Sequence, residues 1–244
     1  MALTGTDRGA GFHATAATQV TPKPTSNYTP GTLAVLLIAY DNAGSAGADP
    51  YVSVSDPAGN IWTSRQNALT DPGAASAGIA MRAFTAYIWQ LTTADGPQIN
   101  FGGATPAAKA WAFHEIAGAA GSTAEYVTGG VANVAATANP TITTGTINIG
   151  DFTVAGMGSE STDAITPDSD TSNGSWTTHM TASAGLTTQS NIQITSQRKL
   201  QATANSTQTF NQTIVANDYC SIWVQVREVA IPTLVTVRAR QGTT

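Results

Sequence analysis

Residues 218–228 read DYCSIWVQVRE, and this stretch decides the fold class because its side chains alternate in character. One set of alternate positions is small or aliphatic and consists of Cys220, Ile222, Val224 and Val226. The positions between them hold Tyr219, Ser221, Trp223, Gln225 and Arg227. A repeat of two residues is that of a β-strand whose faces meet different surroundings. The stretch therefore predicts a strand with Cys220 on a buried aliphatic face, where a free thiol acts as a small apolar group.

Strand patterns recur along the rest of the chain, separated by clusters of Gly, Pro, Asn and Asp. TLAVLLIAY at 32–40 is a continuous apolar run, and AKAWAFHEI at 108–116 alternates large and small side chains. No segment combines apolar residues at helical spacing with helix caps. We therefore predict an all-β protein built from antiparallel sheets.

The two halves of the chain contain similar elements in the same order. SDPAGNIWTS at 55–64 and SDTSNGSWTT at 169–178 each place an Asp, a turn cluster and a Trp in succession. Strand patterns flank both stretches in matching order, which predicts a structural duplication. Half a chain offers too few strands for a closed barrel, whereas two sheets packed face to face share one core. We predict one β-sandwich of jelly-roll type over 28–230, built from two similar halves, with each Asp-turn-Trp stretch a hairpin whose Gly or Asn has positive φ.

The two ends differ from this domain. Residues 1–27 show little periodicity and are expected to form an extended arm or a first edge strand. Residues 231–244 follow the last core strand and contain Pro232, which interrupts strand pairing. Within them Val235, Val237, Arg238 and Arg240 lie in an alternating segment that could add a strand to a neighbouring subunit. A dangling tail is the alternative.

Composition and charge limit the partners. The chain has 10 Lys and Arg against 15 Asp and Glu, and no Lys or Arg lies between Lys109 and Arg198. Nucleic-acid binding requires clustered basic residues, so no nucleic-acid partner is expected. The N-terminal residues lack the charged and apolar regions of a secretory signal. The apolar runs are shorter than the roughly 20 residues of a membrane span, so no membrane partner is expected.

Residues with catalytic potential are scattered. His13, His114 and His179 lie in separate regions, and no Gly-x-Ser-x-Gly motif accompanies them. A Ser-His-Asp site could still assemble in space, although the sequence offers no support for one. Glu115 lacks the second carboxylate that glycoside hydrolysis requires. The sequence therefore predicts a protein that is not an enzyme.

A calcium site is the one cofactor that the sequence suggests. Asp168, Asp170 and Ser172 occupy alternate positions, as do the first oxygen ligands of a calcium loop. The stretch departs from the EF-hand pattern, with Asn173 at the glycine position and His179 in place of the closing Glu. The alternative is an ordinary acidic turn.

A carbohydrate site is the second type of binding that the sequence suggests. β-Sandwich sugar sites use exposed aromatic rings as platforms. Most of the Trp and Tyr side chains are needed for the core, which leaves Trp62 and Trp176, near the turns, as candidate platforms.

The succession GTLAVLLIAYDN, VSVSDPAGNIWTS, AYIWQLTTADGPQINF and KAWAFHEIAGA resembles the sandwich domains of virion proteins of tailed bacteriophages, especially minor tail and capsid decoration proteins. The resemblance extends over roughly residues 28–230 and is carried by strand-turn patterns. It implies a structural virion protein, first of the tail and second of the capsid surface, assembled in the host cytoplasm. It also implies self-association and contacts with other virion proteins. A carbohydrate-binding module or host-surface adhesin that binds a host glycan is the alternative.

Overall fold

The computed structural model describes residues 3–41, 49–70, 78–118, 139–177, 179–185 and 191–227, and for 125–137 the backbone alone. These residues form strands, turns and loops, and none of them is helical. No helix that could span a membrane is therefore found in this part of the chain. The prediction of an all-β, antiparallel β-sandwich is confirmed.

The described residues of the first half of the chain form eight strands. They are β1 (Thr4–His13), β2 (Gln19–Val20), β3 (Leu33–Asp41), β4 (Ser53–Ser55), β5 (Trp62–Thr70), β6 (Ile79–Tyr87), β7 (Gln98–Asn100) and β8 (Lys109–Ala117). Five of them form sheet I in the order β1-β8-β3-β6-β5, and the other three form small sheet I in the order β2-β7-β4.

In the second half, the part that the structure describes forms seven strands. They are β9 (Glu125–Thr137), β10 (Thr141–Thr143), β11 (Phe152–Ser159), β12 (Met180–Ala184), β13 (Ile192–Leu200), β14 (Thr209–Asn211) and β15 (Asn217–Arg227). Sheet II has the order β12-β13-β11-β15-β9, and small sheet II consists of β10 and β14.

The two large sheets have corresponding connectivity. In sheet I, the first strand of the half, β1, pairs with the last, β8, and β8 pairs with the central strand β3. In sheet II, β9 likewise pairs with β15, and β15 pairs with the central strand β11. The small sheets also correspond, since β2 pairs with β7 and β10 pairs with β14. This parallel concerns strand order alone. The jelly-roll connection and a duplication of the two halves stay predictions.

Among the described side chains, three apolar clusters lie between the sheets. The central cluster fills the space between sheets I and II and includes Val35 and Leu37 of β3 and Val154 of β11. A second cluster lies between sheet I and small sheet I, and a third lies between sheet II and small sheet II. All nine residues of β3 are buried, which explains its continuous apolar sequence: both of its faces are covered.

Strand β15 confirms the two-faced pattern that its sequence predicts. Cys220, Ile222, Val224 and Val226 belong to the central cluster, whereas Tyr219 and Trp223 belong to the outer one.

Residues 4–13, at the N-terminus, form an edge strand of sheet I that pairs with β8 from Thr4 opposite Ala117 to His13 opposite Lys109. Of the two alternatives for this segment, an arm or an edge strand, the structure shows the edge strand. Residues 231–244, with Val235, Val237, Arg238 and Arg240, lie outside the described residues.

At two glycines of β11, sheets I and II lie too close together for a side chain on β11. A Cβ atom added at Gly158 would lie 2.7 Å from Ala39 Cβ, and one added at Gly156 would lie 2.5 Å from Leu37 Cδ1. Both distances are shorter than a carbon-carbon contact allows, so the spacing of the two sheets depends on the absence of side chains here.

We expect Gly158→Val to destabilise the protein by about 1–3 kcal/mol or more, because its side chain has to displace the β3 backbone. The matched control is Gly103→Val, since a Cβ at Gly103 meets nothing within 4 Å. Urea denaturation of both variants measures the difference in free energy of unfolding. Equal losses would contradict the proposed role of the close sheet contact.

Candidate functional site

The first Asp-turn-Trp stretch forms a turn held by the Asp56 carboxylate. Asp56 Oδ1 accepts a hydrogen bond from the Ala58 N–H at 2.7 Å, and Gly59 has a φ of 85°. Asp56 Oδ2 accepts hydrogen bonds from Asn60 Nδ2 at 2.8 Å and from Trp62 Nε1 at 2.7 Å. The Trp62 indole is thereby turned inward, where it packs against the edge of small sheet I and the second cluster.

The second stretch forms the same turn at the same spacing. Asp170 Oδ1 accepts a hydrogen bond from the Ser172 N–H at 2.9 Å, and Asn173 has a φ of 58°. Trp176 lies against Phe210 with ring centroids 5.0 Å apart, and its Nε1 donates to the Thr209 carbonyl at 3.2 Å. The predicted positive φ at a Gly or Asn is confirmed in both turns. The hairpin is wrong for both stretches. The first turn connects β4 of small sheet I to β5 of sheet I, and the second lies between β11 and β12, which β13 separates in sheet II.

The prediction that Trp62 and Trp176 are exposed sugar platforms is wrong. Each is only 7% exposed. The physical reason is that each indole N–H has an acceptor inside the protein while its ring fills the space between a large sheet and the elements that cover it.

An exposed ring at this end of sheet I belongs instead to Trp89, which follows β6. Trp89 is 80% exposed, and Ile61, which lies between the first Asp-turn-Trp turn and β5, is 83% exposed. Asn60 fixes the backbone beneath the ring, since its Oδ1 accepts from the Trp89 N–H at 2.7 Å and its Nδ2 donates to the Gln90 carbonyl at 2.7 Å. Because Asn60 is itself held by Asp56, the first turn positions Trp89.

Trp89 borders a surface cleft of about 470 Å³, which we call the Trp89 cleft. Its other walls include Pro30, Gly31, Ile61 and Tyr87. The Tyr87 hydroxyl donates to the Gly31 carbonyl and thereby connects β6 to the loop before β3. The volume is within the range of small-ligand sites. The exposed face of the Trp89 indole can stack on a sugar ring, and the apolar cleft can also receive an apolar side chain of another protein.

The predicted calcium ligands lie together on one loop, but their oxygens already have partners. Asp168 Oδ1 accepts from the Asp170 N–H at 2.7 Å, and Asp168 Oδ2 accepts from the Asn211 N–H at 2.8 Å. Asp170 Oδ2 lies 2.7 Å from Lys199 Nζ. Burial acts to raise the pKa of Asp170, but the hydrogen bonds from Lys199 and Ser172 outweigh it and lower this pKa to about 2.

Lys199 thus supplies the positive charge beside these carboxylates. In the part of the chain that the structure describes, no group of three or more His, Cys, Asp or Glu side chains is arranged to hold a metal ion. Calcium binding by Asp168, Asp170 and Ser172 stays a prediction.

A chain of three side chains crosses the interface between sheets I and II. His114 Nδ1 lies 3.0 Å from Asp7 Oδ1, and His114 Nε2 lies 2.8 Å from Ser196 Oγ. Arg198 Nε donates to the same Asp7 oxygen at 2.9 Å. The order of Ser, His and Asp is that of a hydrolase triad, but His114 and Ser196 are completely buried, so a substrate carbonyl has no access to Ser196 in this conformation.

Burial lowers the pKa of His114 below its usual range, more than the hydrogen bond that His114 donates to Asp7 raises it. The imidazole is therefore neutral at pH 7. In that state, Nδ1–H donates to Asp7 and Nε2 accepts from the Ser196 hydroxyl. The pKa of Asp7 is lowered, because the hydrogen bond to His114 and the charge of Arg198 together exceed the opposing effect of burial. The arrangement connects the two sheets by hydrogen bonds between β1, β8 and β13.

Two other singled-out residues have structural partners. Glu115 Oε2 pairs with Arg8 Nε at 2.8 Å and accepts from the Thr29 N–H at 3.1 Å. The buried Cys220 thiol donates to the Ile79 carbonyl at 3.3 Å, and burial raises its pKa to about 12. At neutral pH Cys220 is therefore a thiol rather than a reactive thiolate.

No family model matches this chain, and no curated protein or solved structure matches it either.

Sequence reasoning missed Trp89 and the Asp7–His114–Ser196 chain for different reasons. In YIWQL at 87–91, Ile88 is buried while Tyr87 and Trp89 point to the other side, so the period of two continues past β6 and could have indicated an outward Trp89. Asp7 and His114 are 107 positions apart, and Ser196 is 82 positions beyond His114. Only the packing of two sheets brings these three together.

Below about pH 6.5, the ordinary pKa of a histidine in an unfolded chain, we expect His114 to lower the free energy of unfolding. The unfolded chain then binds a proton that folded His114, with its lowered pKa, does not bind. Glu160 acts in the opposite direction over the same range, because burial raises its pKa to about 8, so the difference between the wild type and a His114 variant isolates the histidine. The slope for one such group reaches at most about 1.4 kcal/mol per pH unit. The contribution of Asp7 is lost at lower pH, below 3.8, so the two effects are separable.

Urea denaturation at pH 7.5, 6.5 and 5.5 measures this dependence. His114→Gln should be less stable than the wild type at pH 7.5 and should lose less stability on acidification. His179→Gln, which removes a half-buried histidine, is the control and should keep the wild-type pH dependence. An unchanged slope in His114→Gln would show that another group binds the proton.

Proposed function

We propose that this protein is a non-enzymatic structural component of a tailed-phage virion, first a minor tail or tail-tip protein and second a capsid decoration protein. The observation that carries the proposal is the burial and internal bonding of the described side chains with catalytic potential. His114, Ser196, Glu115 and Cys220 are all buried and bonded within the sandwich. The features left for interaction are surfaces and strand edges.

The sandwich suits a scaffold that is joined to neighbours. The central strands of both large sheets are covered on both faces, with apolar clusters on either side. Apolar side chains that remain exposed include Ile61 and Trp89 at one end of sheet I. We propose that contacts with other virion proteins and with further copies of this chain use such surfaces together with residues 231–244, and that the protein is assembled into the virion in the host cytoplasm.

Immunogold labelling of purified phage particles, with antibody raised to residues 28–230, tests this proposal. Label at the tail tip supports an adsorption role, and label over the head supports capsid decoration. Mass spectrometry of the same particles is the independent measurement. Particles that carry neither label nor peptides of this chain would refute the virion role.

Carbohydrate binding by the Trp89 cleft is the second candidate function, and the exposure of the Trp89 ring favours it. A free indole face beside a rigid turn offers the platform on which a sugar ring stacks, and Asn60 holds that platform in place. This function is compatible with the first, since a tail-tip protein that binds a host-surface glycan is an adhesin.

We expect Trp89→Ala to weaken binding to a host-glycan array by about tenfold or more, because it removes the stacking surface. Trp89→Phe is the matched control, since it keeps an aromatic face and should retain most of the binding. The melting temperature should change little in either variant, because the side chain is exposed. Glycan binding that is equal in the wild type and Trp89→Ala would exclude the cleft as the binding site.

A further inference from the structure

Strands β6 and β15 pack against each other across the interface of sheets I and II and run in the same direction. Near the start of β15, the Cys220 thiol donates to the carbonyl of Ile79, the first residue of β6, at 3.3 Å. Cβ atoms added at Gly158 and Gly156 of β11 would lie 3.0 Å from side-chain atoms of Ile79 and Met81 in turn, so β11 runs opposite to β6. Because β15 is antiparallel to β11, it runs with β6.

The chain therefore leaves β15 at the end of the sandwich where the Trp89 cleft lies. Arg227, the last residue of β15, is about as far past Cys220 as Tyr87 is past Ile79, and Tyr87 belongs to the cleft wall. Packed sheets are about 10 Å apart, and an extended chain covers about 3.3 Å per residue. About four residues beyond Arg227 thus suffice to reach the cleft from β15.

The sequence after β15 has the same character as the cleft. Residues 229–237 read VAIPTLVTV and contain no charged side chain, although Glu228 precedes them and Arg238 follows. The described residues that line the cleft are likewise uncharged. An uncharged apolar segment can therefore enter the cleft without the cost of desolvating a charge on either side.

The walls of the cleft favour an apolar cover. Ile61 and Trp89, both in the cleft wall, expose most of their surface to water. Burying such apolar surface is favourable in proportion to its area. A segment attached to the same chain is present at an effective concentration of about a millimolar, which favours it over a separate molecule as the occupant.

We propose that residues 231–237 of this chain dock in its own Trp89 cleft. The apolar side chains of this segment lie against Trp89 and Ile61 and shield them from water. A sugar or a virion protein that uses the cleft then has to displace the segment. That consequence rests on the proposed functions, whereas the docking itself does not.

Acrylamide quenching of tryptophan fluorescence in the full chain measures whether Trp89 is covered. The Trp residues other than Trp89 are at most 7% exposed, so collisional quenching reports mainly Trp89. Leu234→Asp combined with Val235→Asp places a charge on both faces of an extended segment. This variant should raise the quenching constant about twofold or more, because a charged segment cannot enter an apolar cleft without desolvation.

The matched control is Thr243→Asp combined with Thr244→Asp, which adds the same charge outside the segment and should leave the quenching constant unchanged. Trp89→Phe should remove the increase that Leu234→Asp and Val235→Asp cause. Equal quenching in the wild type and in the Leu234→Asp, Val235→Asp variant would overturn the proposal.

Disulfide trapping in the full chain identifies which copy supplies the segment. Ile61→Cys in the cleft wall and Val235→Cys in the segment should form a bond within one chain, seen as a monomer on a non-reducing gel and located by mass spectrometry. The native Cys220 does not compete, because it is buried and its pKa is raised to about 12. Val215→Cys replaces Ile61→Cys in the control pair, since Val215 is 59% exposed and lies near the opposite end of β15.

The bond from position 61 should form about tenfold faster or more than the bond from position 215, because docking raises the local concentration of the segment. Equal rates would overturn the docking. A bond from position 61 that joins two chains would overturn docking within one chain and assign the cleft to the segment of a second copy. Neither measurement depends on the virion role, which the immunogold experiment tests by itself.

Discussion

The close contact between β3 and β11 is the constraint on which the rest of the structure depends. Gly156 and Gly158 let the centres of sheets I and II approach until Leu37 and Ala39 touch the β11 backbone. Both central strands are buried along their whole length, so the centre of each large sheet is shielded from water on both faces. Each outer face therefore requires a cover, and small sheets I and II provide it. The layered arrangement with three apolar clusters follows from this requirement.

Hydrogen bonds determine how the two large sheets are aligned, since apolar burial alone has no direction. His114 of sheet I meets Ser196 of sheet II, and the Thr70 hydroxyl of β5 donates to the Tyr219 carbonyl of β15 at 2.8 Å. Arg198 of sheet II reaches Asp7 of sheet I. A shift of one sheet over the other would leave these buried groups unpaired, at a cost of about 1–3 kcal/mol for each. We infer that the Ser-His-Asp geometry arises from this structural demand.

The fold could be predicted from the sequence to the extent that period and composition encode it. The alternation in 218–228 identifies both faces of β15, and the apolar run at 32–40 identifies a strand buried on both sides. The candidate site could not be predicted in the same way. The position of an indole depends on the elements that pack around it: Trp62 lies in the second cluster with its N–H bonded to Asp56, whereas Trp89 follows a strand end and stays exposed. Contacts between sheets, such as that of His114 with Ser196, leave no local pattern.

The two Asp-turn-Trp stretches show how one local structure can support two different surfaces. In both, an Asp accepts the N–H two positions ahead, and the residue three positions ahead has positive φ. The difference lies in the second carboxylate oxygen. Asp56 Oδ2 is occupied by Asn60 and Trp62, so the turn is closed and its rigid backbone presents Trp89 to solvent. Asp170 Oδ2 is bonded to Lys199, whose ammonium lies 5.5 Å from the Trp176 ring, and a polar cavity remains beside the turn. The two turns therefore share a backbone structure and lie beside surfaces of different character, apolar beside the first and charged beside the second, because the residues that pack around them differ.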